Sequence, residues 1–182
     1  MTIPPTLGPM PADRLVTTVD EHLVRAPIRV VFEVAADVER WPRYLAHYRF
    51  VRVIERAPNG DALVEMSANR PFGGVGWPTW WTSWMTVSRP DGERRPSIRF
   101  RHIRGVTSGM DVEWTFEERA GGTLARIVHV WNGPPGPVIG ALAARLVIGP
   151  VFVHGIASRT LAGLAKVAER GTDASGIEVG RG

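Results

Sequence analysis

The sequence predicts an α+β fold in which one long helix near the C-terminus packs on an antiparallel sheet. The chain begins with one strand-like segment and two short helical segments. Six further strand-like segments follow, joined by turns of hairpin length, and a long helical pattern comes last. Strands joined by short turns pair antiparallel, and the apolar side of the helix must be buried on the sheet. We therefore expect seven strands and a helix across one face.

The first fifty residues carry the signals for one strand and two short helices. Threonine and valine enrichment predicts a strand over residues 15–24. Pro27 suits the first turn of a helix, and the valines that follow keep helical spacing as far as Val38. Trp41, which precedes a proline, begins a second short helix that ends near His47.

Turn residues divide most of the remaining chain into strands. The six predicted strands are residues 48–56, 62–69, 79–88, 97–104, 110–118 and 123–132. After a Gly- and Pro-rich segment the pattern is helical until about residue 170. The very apolar residues 137–156 are predicted to be buried helix rather than a membrane span, because Arg145 lies near their centre.

The length of 182 residues predicts a single domain over residues 14–170, with a flexible leader at 1–13 and a flexible tail at 171–182. Cysteine is absent, which excludes disulfides and thiolate metal sites and is compatible with a reducing compartment. The first residues lack the basic start and apolar run of a signal peptide. We therefore expect a cytoplasmic protein.

Charge and histidine spacing exclude two other classes of site. The net charge is +4, but the densest arginine cluster, residues 94–104, has neither stacking aromatics nor a recognition helix, so no nucleic-acid partner is expected. His22, His47 and His154 stand isolated, and no second ligand lies at metal-binding spacing. We expect neither a metal nor an organic cofactor.

The strand at residues 110–118 alternates most clearly between the two faces of the sheet. One face carries Met110, Val112, Trp114 and Phe116, and acidic residues dominate the other. The next strand places Ile127, His129 and Trp131 together on one face. This alternation predicts a sheet that turns one side to the helix and the other to solvent.

Two motifs resemble the START-related helix-grip superfamily (SRPBCC), and within it the polyketide cyclase/dehydratase and lipid-transport proteins. The first is Ala26-Pro27 with Ala36-Asp37-Val38-Glu39-Arg40-Trp41-Pro42, and the second is Val112-Glu113-Trp114-Thr115-Phe116-Glu117 with Gly121-Gly122-Thr123. The resemblance covers residues 15–170. It implies a curved seven-stranded sheet wrapped around the C-terminal helix, with a cavity for an apolar or aromatic ligand between them.

Three residues are candidates for a catalytic role, two of them from the resemblance and one from strand alternation. Tyr48 matches a tyrosine assigned to proton transfer, although it could instead be a core residue. His129 matches a polar pocket position, where it would act as base or donor, or simply be a buried, hydrogen-bonded histidine. Arg104 shares its strand parity with Ile98 and Phe100. It would therefore supply a cation to the cavity, unless it lies at the solvated rim.

Other residues are expected to contact the ligand. The expected cavity wall is Met66, Trp84, Phe100, Trp114 and Trp131. Trp41 is expected to anchor its short helix instead. Related cyclases carry a pocket arginine late in the fourth strand, but the register here places Ser88 at that position. Arg89 therefore remains a ligand-binding candidate only if a bulge turns it inward.

Two functions fit these features. The first is binding of a hydrophobic or aromatic small molecule (a lipid, isoprenoid or polyketide) for carriage or presentation, with transient contact at a membrane surface helped by the positive charge. The second is a polyketide aromatase/cyclase or dehydratase that catalyses intramolecular aldol closure. A protein-interaction role is a third possibility. The Gly-rich residues 71–78 are expected to form a mobile lid over the cavity.

Overall fold

The computed structural model describes residues 7–72, 75–90, 95–133 and 154–175. The elements are β1 (Val16–Val24), α1 (Ile28–Ala36), a 3₁₀ turn (Val38–Arg40), α2 (Trp41–Tyr44), β2 (Tyr48–Arg56), β3 (Ala62–Phe72), β4 (Val75–Ser88), β5 (Ser97–Gly105), β6 (Asp111–Arg119), β7 (Gly122–Trp131) and α3 (His154–Ser175).

The seven strands form one antiparallel sheet in the order β1-β7-β6-β5-β4-β3-β2. Every neighbouring pair except β1 and β7 is consecutive in the chain, as short hairpin connections require. The first strand pairs with the last and forms one edge of the sheet, and β2 forms the other. The predicted fold class, a helix-grip sheet with two short helices after β1 and a long helix near the C-terminus, is confirmed.

The helices and one face of the sheet enclose the core. Pro27, with φ of −59°, immediately precedes α1, and the apolar side of α1 buries Val31, Phe32 and Ala35. Phe32 meets Phe116 of β6 edge to face, with ring centroids 5.4 Å apart. The described part of α3 contacts β1, α1 and α2. This face of the sheet, here called the inner face, therefore holds any site that lies between sheet and helix.

Residues 71–78, which were expected to form a mobile lid, are mostly paired strand. β3 continues to Phe72 and β4 begins at Val75, so that these two residues are paired across an extended hairpin. Backbone pairing therefore continues through most of the Gly-rich segment. Within this segment, only residues 73 and 74 lie outside the described ranges.

Both ends of the described chain differ from the expected domain limits. Residues 7–10, expected in the leader, lie against β5. Leu7 is 5% exposed, Arg101 donates to its carbonyl oxygen over 3.1 Å, and Arg99 donates to that of Gly8. At the other end α3 extends to Ser175. The predicted buried helix at 137–156 lies outside the described residues except for its last three positions.

Within the described ranges, no helix combines the length and the apolar character needed to cross a membrane.

Candidate ligand-binding site

A cavity of about 70 Å³ lies between the inner face of the sheet, α2 and α3. Its described lining is Trp41, Tyr48, Met66, Trp81, Phe100, His102, Met110, Val112, Trp114, Ile127, His129, Ile156, Ala157 and Thr160. None of these residues is Asp, Glu, Lys or Arg. The cavity is therefore an apolar, aromatic space with a few polar groups, a composition typical of small-molecule sites.

Trp41 is at the centre of the aromatic wall. As the first residue of α2, it is buried to 2% exposure. Its ring centroid lies 5.2 Å from that of Tyr48, 5.5 Å from that of Trp114 and 6.4 Å from that of Phe100. The three neighbours come from β2, β6 and β5. The anchor expected at this position is therefore also part of the pocket wall.

A second aromatic group forms one corner of the pocket. Trp81 of β4 stacks on the His102 ring of β5, with centroids 5.7 Å apart and an interplanar angle of 21°. His102 Nδ1 lies 2.7 Å from the hydroxyl of Thr107, a buried residue of the β5–β6 loop. The stacking and the hydrogen bond together fix the orientation of the imidazole.

Both residues expected to transfer protons line the cavity. Tyr48, 8% exposed, lies between Trp41 and Trp81, with its ring centroid 6.3 Å from that of Trp81. His129 of β7 is half-buried, and its Nδ1 lies 3.4 Å from the Thr18 hydroxyl of β1. The arrangement brings a phenol and an imidazole to one apolar space, where either can exchange hydrogen bonds with a ligand.

His47 connects the start of β2 to α3 beside this pocket. Its Nε2 lies 3.0 Å from the hydroxyl of Thr160, which lines the cavity, and its ring lies 4.9 Å from that of Tyr48. Burial lowers the pKa of His47 below its usual 6.5, and the positive charge of Arg159 lowers it further. The neutral imidazole is therefore favoured at this junction.

The pocket brings together five of the predicted site residues, and four others lie elsewhere. Those that line it are Tyr48, Met66, Phe100, Trp114 and His129. The four residues absent from the described lining are Trp84, Arg89, Arg104 and Trp131.

Arg104 lies on the outer face because the β4–β5 pairing is irregular. Thr82 pairs with Arg104, whereas the adjacent Ser83 pairs with His102, so Ile103 is an extra residue in β5. Such a bulge reverses the alternation beyond it. Arg104 is exposed, and the prediction that it faces the cavity with Phe100 is wrong.

Trp84 and Arg89 also lie outside the pocket. Trp84 pairs with Leu63 and Arg101 on the outer face, where it is half-buried. The Arg89 guanidinium forms an exposed ion pair of 2.6 Å with Glu33 of α1. Arg89 has the strand parity of Trp81 and Met85 but lies beyond the end of β4, where its guanidinium reaches Glu33 instead of the described cavity.

Trp131 is buried but supports a loop instead of lining the cavity. Its indole Nε1 donates to the carbonyl oxygen of Ser108 over 3.0 Å. This bond fixes the β5–β6 loop, which also carries Thr107. The expectation that Trp131 contacts the ligand directly is therefore wrong.

Sequence reasoning missed Trp81 as a wall residue. β4 carries Trp80, Trp81 and Trp84, so aromatic residues occupy both parities of the strand and give no indication of the inner face. The sequence did contain one signal, the apolar residue Met85 at the same parity as Trp81. In the structure Met85 is 1% exposed. The lining residues from α3 lie in a helical pattern whose pocket-facing side depends on how α3 packs.

No metal centre accompanies the pocket in the described ranges, where no group of three His, Asp or Glu side chains is placed to hold an ion.

A curved antiparallel sheet that encloses an aromatic cavity against its last helix defines the helix-grip class of small-molecule-binding proteins. Residues 24–153 match the family model described as polyketide cyclase/dehydrase and lipid transport. The chain belongs to this family, which confirms the resemblance seen in its motifs.

Relatives and solved structures are consistent with this membership. A provisionally named polyketide cyclase from Streptomyces halstedii is 29% identical over 113 residues, which are 60% of this chain and 94% of that protein. The Zhui aromatase/cyclase from Streptomyces sp. R1128 superposes with a TM-score of 0.74 at 20% identity, over 90% of this chain and 98% of that one. A START superfamily protein from Mycobacterium smegmatis gives 0.59 at 15% identity, over 88% and 99%. At these identities the structural likeness shows the fold alone.

Proposed function

We propose that this protein binds a neutral, planar, apolar small molecule in the cavity lined by Trp41 and carries or presents it. The observation that supports this most is the lining. Aromatic side chains offer stacking surfaces, and the described wall includes no Asp, Glu, Lys or Arg. An apolar ligand would leave water for this space without stranding a buried charge.

The cavity volume bears on the size of the ligand. A volume of about 70 Å³ corresponds to about five to seven water-sized groups, since one water needs about 10–15 Å³ by this measure. One aromatic ring, or the end of a longer molecule, fits such a space. A poly-β-ketone chain folded into several rings would require the cavity to expand.

Ligand binding is tested with the purified full chain and a library of neutral aromatic compounds. We expect one- and two-ring compounds to raise the melting temperature and to give complexes in native mass spectrometry. Acidic compounds of the same size serve as the matched comparison and should bind less. The proposal fails if no apolar compound binds and none changes the melting temperature.

The alternative is a cyclase or dehydratase that closes a poly-β-ketone by aldol chemistry. Family membership and the convergence of Tyr48 and His129 on one cavity favour it, because closure needs a proton donor and a base. The exposed positions of Arg89 and Arg104 count against it. The described wall includes no Lys or Arg to stabilise the oxygen of an enolate.

The alternative is tested with a synthetic linear poly-β-ketone thioester. A cyclase should change the rate and the ring pattern of closure relative to buffer alone. In the pair Tyr48→Phe and His129→Ala, full retention of that acceleration would remove both proton-transfer roles. Equal product mixtures with and without the wild-type protein would exclude the enzyme.

Contact with a membrane surface, in a cytoplasmic setting, is part of the same proposal. Trp80, Ile103 and Val106 are 50%, 37% and 56% exposed, and the exposed Arg104 lies among them. They belong to the middle of β4, the end of β5 and the loop after β5, which also hold Trp81 and His102 in the pocket. Exposed tryptophan beside arginine suits an anionic lipid surface.

Vesicle flotation separates this contact from nonspecific adsorption. We expect the protein to float with phosphatidylcholine vesicles that contain phosphatidylglycerol, and Trp80→Ser to reduce the bound fraction. Ile54→Ser is the matched control, because Ile54 is 58% exposed on the edge strand β2. Equal loss in both variants, or no flotation, would exclude this surface.

A further inference from the structure

We propose that residues 7–10, here called the N-terminal strap, control the size of the ligand that the cavity accepts. Docked on the outer face of the sheet, the strap holds the β5–β6 part of the wall in the shape that fits one ring. Its release lets this part of the wall move and admits larger planar molecules. This inference rests on the ligand-binding function proposed above and deepens it by naming how the site is regulated.

The strap is attached to β5 through side chains. Its four residues all lie within the described chain, and none of them belongs to a strand. Arg101 donates to the carbonyl oxygen of Leu7 over 3.1 Å, and Leu7 is 5% exposed. Arg99 donates to the carbonyl oxygen of Gly8, and its Nη2 lies 3.3 Å from the sulfur of Met10. So few contacts can open while the sheet stays folded.

The link between the strap and β1 is short. β1 and β5 are three strand positions apart in the sheet, which corresponds to about 14 Å at the usual spacing of about 4.8 Å. The chain from Met10 to Val16 spans at most about 22 Å when fully extended. Next to β1, the Leu15 N–H donates to the Asn132 side chain over 3.1 Å. The link therefore keeps the strap near β5 at a high local concentration, so that docking is readily reversible.

The strap and the cavity lie on opposite sides of the same part of the sheet. Arg99 and Arg101, which hold the strap, belong to β5. The residues that alternate with them, Phe100 and His102, line the cavity. Because successive side chains of a strand point to opposite faces, the strap lies behind this part of the wall. Asp111 of β6 accepts from Arg101 over 2.8 Å, so the strap is connected to both strands.

The β5–β6 part of the wall is also the least continuous part of the sheet. Its register extends only from Ser97↔Thr115 to Arg101↔Asp111, which is the shortest pairing between neighbouring strands. The bulge at Ile103 follows in β5. Short and irregular pairing makes local opening easier. The attachment at Arg101 therefore stabilises the wall where strand pairing stabilises it least.

The first test uses the full chain with two ligands, indane and the larger fluorene. Leu7→Asp places a charge at the buried strap position and should undock the strap. Leu15→Asp is the matched control, because Leu15 is 55% exposed. We expect Leu7→Asp to lower the ratio of the fluorene Kd to the indane Kd about 5- to 10-fold relative to the wild type. Leu15→Asp should leave this ratio within about twofold, as measured by tryptophan fluorescence titration.

Hydrogen exchange measures the wall itself. The His102 amide donates to the Met110 carbonyl oxygen over 2.9 Å, and the Gly109 amide donates to that of His102 over 2.8 Å. Both amides should exchange faster in Leu7→Asp than in the wild type or in Leu15→Asp. Amides of the β2–β3 hairpin should exchange equally in all three proteins, because release of the strap is local. Equal exchange of the His102 and Gly109 amides in all three proteins would contradict the inference.

A measurement on the wild type does not depend on the folding of a variant. A ligand that binds better after release of the strap must itself promote that release, because coupling between two sites is reciprocal. In ¹⁵N-labelled protein, fluorene should lower the heteronuclear NOE of the Gly8 and Met10 amides, and indane should not.

The outcomes separate this inference from the proposed function. If indane binds but the Kd ratio is the same in the three proteins, or fluorene binds none of them, this inference is overturned and the binding function stands. The same holds if fluorene binds the wild type and leaves Gly8 and Met10 as ordered as indane does. If neither ligand binds the wild type or Leu7→Asp, both proposals fall.

Discussion

The β6–β7 hairpin and the β4–β5 hairpin line the same cavity, but alternation along the sequence predicts the side-chain faces of only the first. The β6–β7 register is continuous from Asp111↔Val130 to Arg119↔Gly122, and Trp114 and His129 lie on the expected face. The β4–β5 register shifts at Thr82 and Ser83. One extra residue in β5 is enough to move Arg104 to the opposite face.

The two hairpins also differ in the amino-acid composition of their strands. β6 confines its large apolar residues to one parity and its acids mostly to the other, which marks the buried side. β4 has Trp80 on the outer face and Trp81 in the core, 50% and 5% exposed. A strand with aromatics on both sides gives no such mark, so sequence pattern is informative only where the two faces differ.

The largest expected effect is at the end of the irregular hairpin. Gly105 has φ of +92°, and a Cβ there would overlap the carbonyl oxygen of Trp80. We expect Gly105→Ala to lower the free energy of unfolding by about 3 kcal/mol, from backbone strain and steric overlap together. Gly109→Ala is the control, because it has φ of +81° in open space, and should cost about 1 kcal/mol. Equal costs in urea denaturation would show that the close approach to β4 is unimportant.

A somewhat smaller loss of unfolding free energy is expected when the ion pairs on the outer face are broken. Asp111 is 2% exposed and accepts from Arg101 over 2.8 Å, and Arg99 lies 3.8 Å away. Asp111→Ala should destabilise by about 2–3 kcal/mol, because it leaves two partly buried guanidinium groups with one acceptor fewer. Glu21→Ala, which breaks the half-exposed pair with Arg126, should cost less than about 1 kcal/mol. Similar costs in chemical denaturation would contradict this difference in burial.

The two tryptophans on opposite faces of the sheet give the sharpest comparison for binding. Trp114→Ala should weaken a one-ring aromatic ligand by about tenfold, since it removes a stacking wall. Trp84→Ala should leave the affinity within about twofold, because Trp84 pairs on the outer face. Isothermal titration calorimetry measures both. A tenfold loss in Trp84→Ala would mean that the faces of β4 are assigned wrongly.

The smallest expected effect is a change in how the free energy of unfolding depends on pH. The pKa of His47 is lowered in the folded chain by burial and by Arg159, so the unfolded chain binds a proton more readily. The contribution of neutral His47 to the free energy of unfolding is fully present above pH 6.5. It is lost as the pH falls through 6.5 toward the lower pKa of the folded chain. His47→Gln should therefore show a smaller loss of unfolding free energy between pH 7.5 and 5.5 than the wild type. Identical pH profiles would exclude His47 as the source.

Most of the fold could be predicted because its signals are local. Pro27 and the valines after it give the first helix, glycine-containing turns separate the strands, and alternation in β6 identifies the buried face. These signals depend on residues within a few positions of one another. They determined the element order, the antiparallel sheet and the positions of Trp114 and His129.

The tertiary structure alone decided which residues complete the site. The bulge at Ile103 depends on hydrogen bonding between two strands, and the pair of Arg89 with Glu33 joins residues 56 positions apart. Trp41 meets rings from three different strands, so its place in the wall follows from how α2 packs. Strand register and packing are long-range properties, and a local sequence period contains no information about either.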